Sequence, residues 1–242
     1  MNRKKPFWKK ILISAWIVLL LVEAVQLLGR KEVPTYAGEG TQMEALLAAL
    51  ENNPEIKEFV EGYPQAEPIA TGGFTREELE ADFPLLLQWD KRWGYVPYGK
   101  NNIGIAGCGP TCLSMVVLAL TGNEEATPDA IAAYSLENGY YVNGEGTSWS
   151  LMTEGAEDFN LQAWEVSLDE RTMKEYLDSG NPIICAMRKG DFTTSGHFIV
   201  IYGYNEAGFF VNDPNSVIRS EKQWDFDTLK IQIRNMWAYD CI

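Results

Sequence analysis

A cysteine set between two glycines, in Gly107-Cys108-Gly109-Pro110-Thr111, opens an apolar, helix-like run through Cys112-Leu113-Ser114-Met115-Val116-Val117-Leu118. Pro110 stands where a first helical turn accepts proline. A helix start presents free N–H groups and a partial positive charge, so a thiol there loses its proton unusually easily. The chain has a single histidine, His197, within Ser195-Gly196-His197-Phe198-Ile199-Val200. Thiol and imidazole together are the parts of a nucleophile and its base, and such chemistry also needs a group that orients the base and a donor for the oxyanion. Asp213, in Val211-Asn212-Asp213-Pro214-Asn215, is the candidate orienter. Its carboxylate can accept from one imidazole nitrogen and leave the other facing the sulfur. Gln88 is a neutral amide that can donate to an oxyanion beside the backbone N–H of Cys108. Taken singly, these are a buried thiol, a structural histidine, a turn and a polar loop residue. Taken together, each at an element boundary, they point to one catalytic site.

The elements that must hold them follow from pattern. Thr41 caps a helix over Met43–Leu50 with Glu44 closing a capping box, and Asn52-Asn53-Pro54 breaks it. A second helix runs over Glu55–Val60 and ends at Gly62. Thr75-Arg76-Glu77-Glu78 starts another by the same capping pattern. The helix from Cys108 stops at Thr121-Gly122, and Thr127-Pro128-Asp129 opens the next. Gly139 to Gly146 is a loop, and Thr147 or Ser148 caps a helix over Trp149–Met152. The second half turns to period two: Leu161–Val166 and Pro182–Met187 read as strands, with a helix capped by Asp169 between them. His197–Tyr204 and Gly208–Asp213 form a hairpin, and Ile231–Arg234 is a last strand with Trp237 and Tyr239 behind it. Helices first and antiparallel strands second give an α+β domain. A plain hairpin would face His197 and Asp213 to opposite sides, so a bulge or irregular turn near Tyr202 to Asn205 is required.

Residues 1–30 carry six Lys/Arg against Glu23, a net of +5, which leaves −19 on the rest of a chain whose total is −14. So acidic a body argues against nucleic-acid binding. Ile11 to Leu28 is an 18-residue apolar run behind the basic segment Arg3–Lys10. It is long enough to cross a membrane, and the basic flank should stay cytoplasmic with the remainder outside. We expect an uncleaved anchor, with a signal peptide cut after Thr35-Tyr36-Ala37 as the alternative. The domain reading is a basic flank and membrane segment at 1–30, a linker with N-terminal helices at 31–82, and the main domain at 83–242. Cys112 and Cys185 sit in apolar surroundings and read as core residues. No CxxC pair and one histidine argue against zinc, so neither metal nor cofactor is expected.

Four blocks carry a resemblance: Gln88-Trp89-Asp90-Lys91-Arg92-Trp93-Gly94, Gly107-Cys108-Gly109-Pro110-Thr111, Gly196-His197-Phe198-Ile199-Val200 and Asn212-Asp213-Pro214-Asn215. Over roughly residues 83–240, including Gly146-Thr147-Ser148-Trp149, the chain resembles the C39-like cysteine peptidases. The resemblance implies a papain-like fold with Cys108 as nucleophile, His197 as base, Asp213 as orienter and Gln88 as oxyanion donor. Transporter-linked members cleave after a double-glycine leader on the cytosolic side. This chain has one membrane segment and no ATP-binding cassette, and its charge pattern puts the domain outside. The expectation is therefore a membrane-tethered, monomeric, extracytoplasmic peptidase acting on a peptide or protein substrate. Two alternatives are a non-catalytic module binding peptides or cell-wall material, with the aromatic loop from Trp89 to Tyr98 lining its groove, and an amidase or transferase on the same fold.

Overall fold

The run that starts at Cys108 is apolar on all sides, and a helix of that kind has to be enclosed by other elements. The computed structural model describes residues 39–242 and encloses it between helices and a sheet. The expected membrane segment at residues 11–28 and its basic flank lie outside the described residues. Among the described residues no helix is long and apolar enough to cross a membrane.

The chain begins with α1 (Glu39–Asn52), a 3-10 turn at Pro54–Ile56, and α2 (Lys57–Gly62). Thr41, read as a cap, falls inside α1. Leu46, Ile56, Phe59, Val60 and Tyr95 form a small buried cluster of their own, so these helices pack on the domain. Helix α3 (Arg76–Glu80) carries both hydrogen bonds of the Thr75–Glu78 capping box. Arg92 grips Glu78 through both terminal nitrogens, each at 2.7 Å, and also Asp90, which ties α3 to the loop that bears Gln88. Trp93 and Tyr98 of that loop are fully buried, so these aromatics pack rather than line a groove.

Helix α4 (Cys108–Thr121) is the centre of the domain, buried continuously from Gly109 to Leu118. Gly122 ends it at φ 66°, a left-handed position that glycine takes without strain. Helix α5 (Pro128–Glu137) follows, with proline at its start as expected. The loop beyond it holds a two-residue ladder, Tyr141–Val142 against Gly146–Thr147. A 3-10 turn at Trp149–Met152 comes next, capped by Ser148.

The sheet is built from β1 (Leu161–Glu165), β2 (Ile183–Arg188), β3 (Gly196–Asn205), β4 (Gly208–Asn212), β5 (Gln223–Trp224) and β6 (Ile233–Cys241), all paired antiparallel in the order β1-β6-β2-β3-β4-β5. Helix α6 (Glu170–Asp178), capped by Asp169, joins β1 to β2, and α7 (Val217–Ser220) joins β4 to β5. The last strand is longer than the expected Ile231–Arg234: Trp237 and Tyr239 lie within β6, which runs between β1 and β2. Alternate residues of the sheet feed two cores. Phe198, Val200, Ile184, Ala186, Trp237 and Tyr239 pack with Cys112, Met115 and Val116 of α4. Ile199, Ile201, Cys185, Met187 and Val211 pack on the other face with Met173. Each fully buried aliphatic or methionine side chain contributes about 1.5–3 kcal/mol of transfer free energy, so α4 is fixed firmly against the sheet. Cys112 and Cys185 are both fully buried, and burial pushes both thiols well above their usual pKa.

Candidate active site

Cys108 is the first residue of α4 and is half-buried. The glycines beside it make room for the chain's own atoms. A Cβ on Gly107 would stand 2.5 Å from Ile103 Cγ2 and 2.6 Å from the Ile103 carbonyl oxygen. One on Gly109 would stand 2.8 Å from three atoms of Thr147. Thr111 secures the turn by donating from Oγ1 to the Gly107 carbonyl at 2.8 Å. The result is a cysteine whose backbone is clamped while its sulfur faces a cleft.

His197 is the second residue of β3, level with Met187 of β2. The expected irregularity in the hairpin is present. The register runs Asn205↔Gly208, Tyr204↔Phe209 and Gly203↔Phe210, then shifts to Ile201↔Val211 and Val200↔Asn212, leaving Tyr202 as the extra residue. Without that shift Asp213 would lie level with Val200, on the sheet face opposite His197. With it, Asp213 lies one step beyond Asn212 and shares the face of Ile199 and His197. The two side chains meet diagonally, two residues apart in register rather than directly opposite. His197 Nε2 and Asp213 Oδ1 are 2.7 Å apart. Nδ1 is then the nitrogen left for Cys108, which lines the same cavities as the ring.

Asp213 is fully buried and more heavily partnered than the sequence indicated. Besides the imidazole, Oδ1 accepts from the Asn215 N–H at 2.8 Å and Oδ2 from Arg219 Nε at 2.5 Å. Ser220 Oγ accepts from its backbone N–H at 2.9 Å. Burial pushes this carboxyl upward, but the charges of His197 and Arg219 and their hydrogen bonds outweigh it and hold it below its usual value. Burial likewise pushes the imidazole down. The Asp213 charge and hydrogen bond, with a further contribution from Cys108, outweigh that effect and raise it to about 10. The surroundings of the ring therefore favour its protonated form.

Gln88 is buried and docks on the same turn as Asp213: its N–H donates to the Pro214 carbonyl at 2.7 Å. Its Nε2 donates to the Gly104 carbonyl at 2.9 Å, and its Oε1 is buried without a hydrogen-bond partner among the described residues. Trp89 Nε1 and Asn212 Nδ2 complete the seam, donating to the Asn215 and Pro84 carbonyls. One Nε2 hydrogen remains for an incoming oxygen. Two cavities meet at the pair. One of about 980 Å³ is walled by Lys100, Tyr141, Trp149 and Arg234 among others, and one of about 390 Å³ by Gln88, Asn53, Thr193 and Arg219 among others. Cys108 and His197 line both.

The sequence model of the Peptidase_C39 like family matches residues 80–240. The chain belongs to this family. Among solved structures, this Peptidase_C39 like chain is similar to the peptidase domain of Streptococcus ComA, a bi-functional ABC transporter involved in a quorum-sensing pathway. That match has 20% identity and a TM-score of 0.43 and covers 57% of this chain and 93% of that one. It is also similar to a double glycine motif protease from an AMS/PCAT transporter in complex with the leader peptide (15% identity, 70% and 98% covered, TM-score 0.44). A C39-like peptidase from Bacillus anthracis gives 15% identity, 65% and 94% covered, and a TM-score of 0.38. These are distant likenesses. No curated protein matches the chain.

The structure thus brings together Cys108, His197, Asp213 and Gln88. Arg219 is the residue the sequence reading passed over. Ser216 Oγ accepts from the Arg219 N–H at 3.0 Å as the N-cap of α7, and a Ser cap three residues before an arginine was the available signal.

Proposed function

We propose that the chain is a papain-like cysteine peptidase that hydrolyses peptide bonds with Cys108, His197, Asp213 and Gln88. The observation that carries this reading is a buried imidazole bonded to Asp213 and lining, together with Cys108, the same two cavities. With its proton held on His197, the Cys108 sulfur attacks the carbonyl carbon, and the carbonyl electron pair moves onto oxygen. Gln88 Nε2 and the Cys108 backbone N–H, which has no intrahelical acceptor at a first helical position, donate to that oxyanion. His197 gives its proton to the leaving amine as the C–N bond breaks, leaving a thioester on Cys108. A water that loses its proton to His197 then releases the acid and restores the thiol pair. Asp213 keeps the ring oriented and its charge balanced throughout. Family membership supports a peptide substrate. The sequence pattern supports tethering through residues 11–28, with the peptidase domain at residues 83–242 on the extracytoplasmic side.

The test is amide hydrolysis of a peptide library read by mass spectrometry, with Cys108→Ala and Cys112→Ala compared. Cys108→Ala should abolish turnover while Cys112→Ala keeps it. Equal activity in both would remove the proposal, and a Cys108 inert to alkylation at neutral pH would point instead to a binding module.

A further inference from the structure

We propose that Glu55, in the N-terminal helical segment, is a positioning residue for the active site: its carboxylate fixes the one-turn helix α7 and, through it, Asp213. The inference rests on the catalytic reading above. The family match begins at residue 80, so Glu55 lies outside it.

The contacts form a chain from Glu55 to His197. Glu55 Oε2 accepts from the backbone N–H groups of Val217 at 2.8 Å and Ile218 at 3.2 Å, and Oε1 accepts from Ser216 Oγ. Asn53, two residues earlier, donates from Nδ2 to the Asn215 carbonyl at 2.5 Å. Two side chains of one 3-10 turn therefore hold four consecutive residues, 215–218, some 160 positions away in sequence. Helix α7 in turn grips Asp213 twice, through Arg219 on its carboxylate and Ser220 on its backbone N–H. Asp213 then holds His197.

The turn that presents Glu55 is itself anchored. Ile56 and Phe59 are buried, Phe59 stacks on Tyr95 with ring centroids 4.4 Å apart, and Tyr95 donates to the Phe59 carbonyl at 2.9 Å. Phe59 also fills the space beside Gly104, where a Cβ would come within 2.3 Å of its ring. Gly104 supplies the carbonyl that holds Gln88. The segment therefore braces the site on both the Asp213 and the Gln88 side.

A helix of one turn has almost no stability of its own, because nucleation is not repaid by propagation. Without Glu55, two of its N-terminal N–H groups and the Ser216 hydroxyl lose their acceptor. The turn then frays, Arg219 and Ser220 loosen, and the carboxylate no longer sits at hydrogen-bond distance from the ring.

The experiment uses the full chain, with His197 followed by nitrogen NMR as its single histidine and Cys108 alkylation by iodoacetamide followed by peptide mass mapping. Glu55→Ala should lower the His197 titration midpoint by about one pH unit and slow Cys108 alkylation at neutral pH about tenfold. Glu55→Gln keeps an acceptor oxygen and should fall between Glu55→Ala and the unsubstituted chain. Glu51→Gln, which removes an exposed acidic charge nearby, should change neither reading. A folded Glu55→Ala with unaltered titration and alkylation overturns the inference. If Glu55→Ala does not fold, an unaltered Glu55→Gln overturns it. Retained hydrolysis by Cys108→Ala would sink the catalytic reading alone, since the His197 titration still reports whether Glu55 positions Asp213.

Discussion

Asp213→Asn isolates the charge that the buried carboxylate supplies. Asparagine has nearly the same shape and its Oδ1 can still accept from His197 Nε2 and the Asn215 N–H, so the contact to the ring is kept while the charge and the acceptor for Arg219 Nε are removed. In the native site the imidazole stands at about 10 against an ordinary 6.5, a gap worth ~5 kcal/mol at ~1.4 kcal/mol per pH unit. Because the folded value is the raised one, this stabilisation is fully present below pH 6.5 and is lost as pH rises through about 10. Asp213 behaves oppositely. Its folded value is lowered, so its contribution is present above 3.8 and lost as pH falls through that lowered value. In Asp213→Asn, burial of the ring acts against Cys108 alone, and the His197 midpoint should fall by about two pH units or more. Nitrogen NMR on the single histidine reads this directly. Denaturant unfolding should show the native chain losing stability between pH 6.5 and 10, with the variant nearly flat over that span. A variant midpoint still near 10 would refute the argument that the Asp213 charge sets the protonation state of the base.

Gln88→Ala removes the side-chain oxyanion donor and should lower kcat by about 10²–10³ with KM little changed, while alkylation of Cys108 keeps its native rate. A fall in alkylation instead would make Gln88 a packing residue. Gly107→Ala forces a methyl group to within 2.6 Å of the Ile103 carbonyl oxygen, a backbone atom that cannot step aside. Destabilisation of about 1–3 kcal/mol is expected, read as a lowered melting temperature.

What the sequence made legible was local. The Thr75–Glu78 box, the Asp169 cap and the stop at Gly122 are each decided by residues within a few positions, and each formed as read. Strand β6 was not legible at full length, because Met236, Trp237, Ala238 and Tyr239 are all buried. A strand covered on both faces loses the alternation that marks a half-exposed one, and its place between β1 and β2 is set by non-local pairing. Arg219 and Glu55 escaped for the same reason: their partners are fixed by where α7 lands. The exception is the bulge at Tyr202, a non-local feature that the sequence nevertheless demanded. Spacing alone put Asp213 on the wrong face, and chemistry required it beside the only histidine. That conflict could be resolved only by one extra residue in the hairpin, and Tyr202 is that residue, its ring stacked on Phe83 with centroids 5.0 Å apart. A bulge placed where a side chain must change faces is part of the active site as much as the residues it brings together.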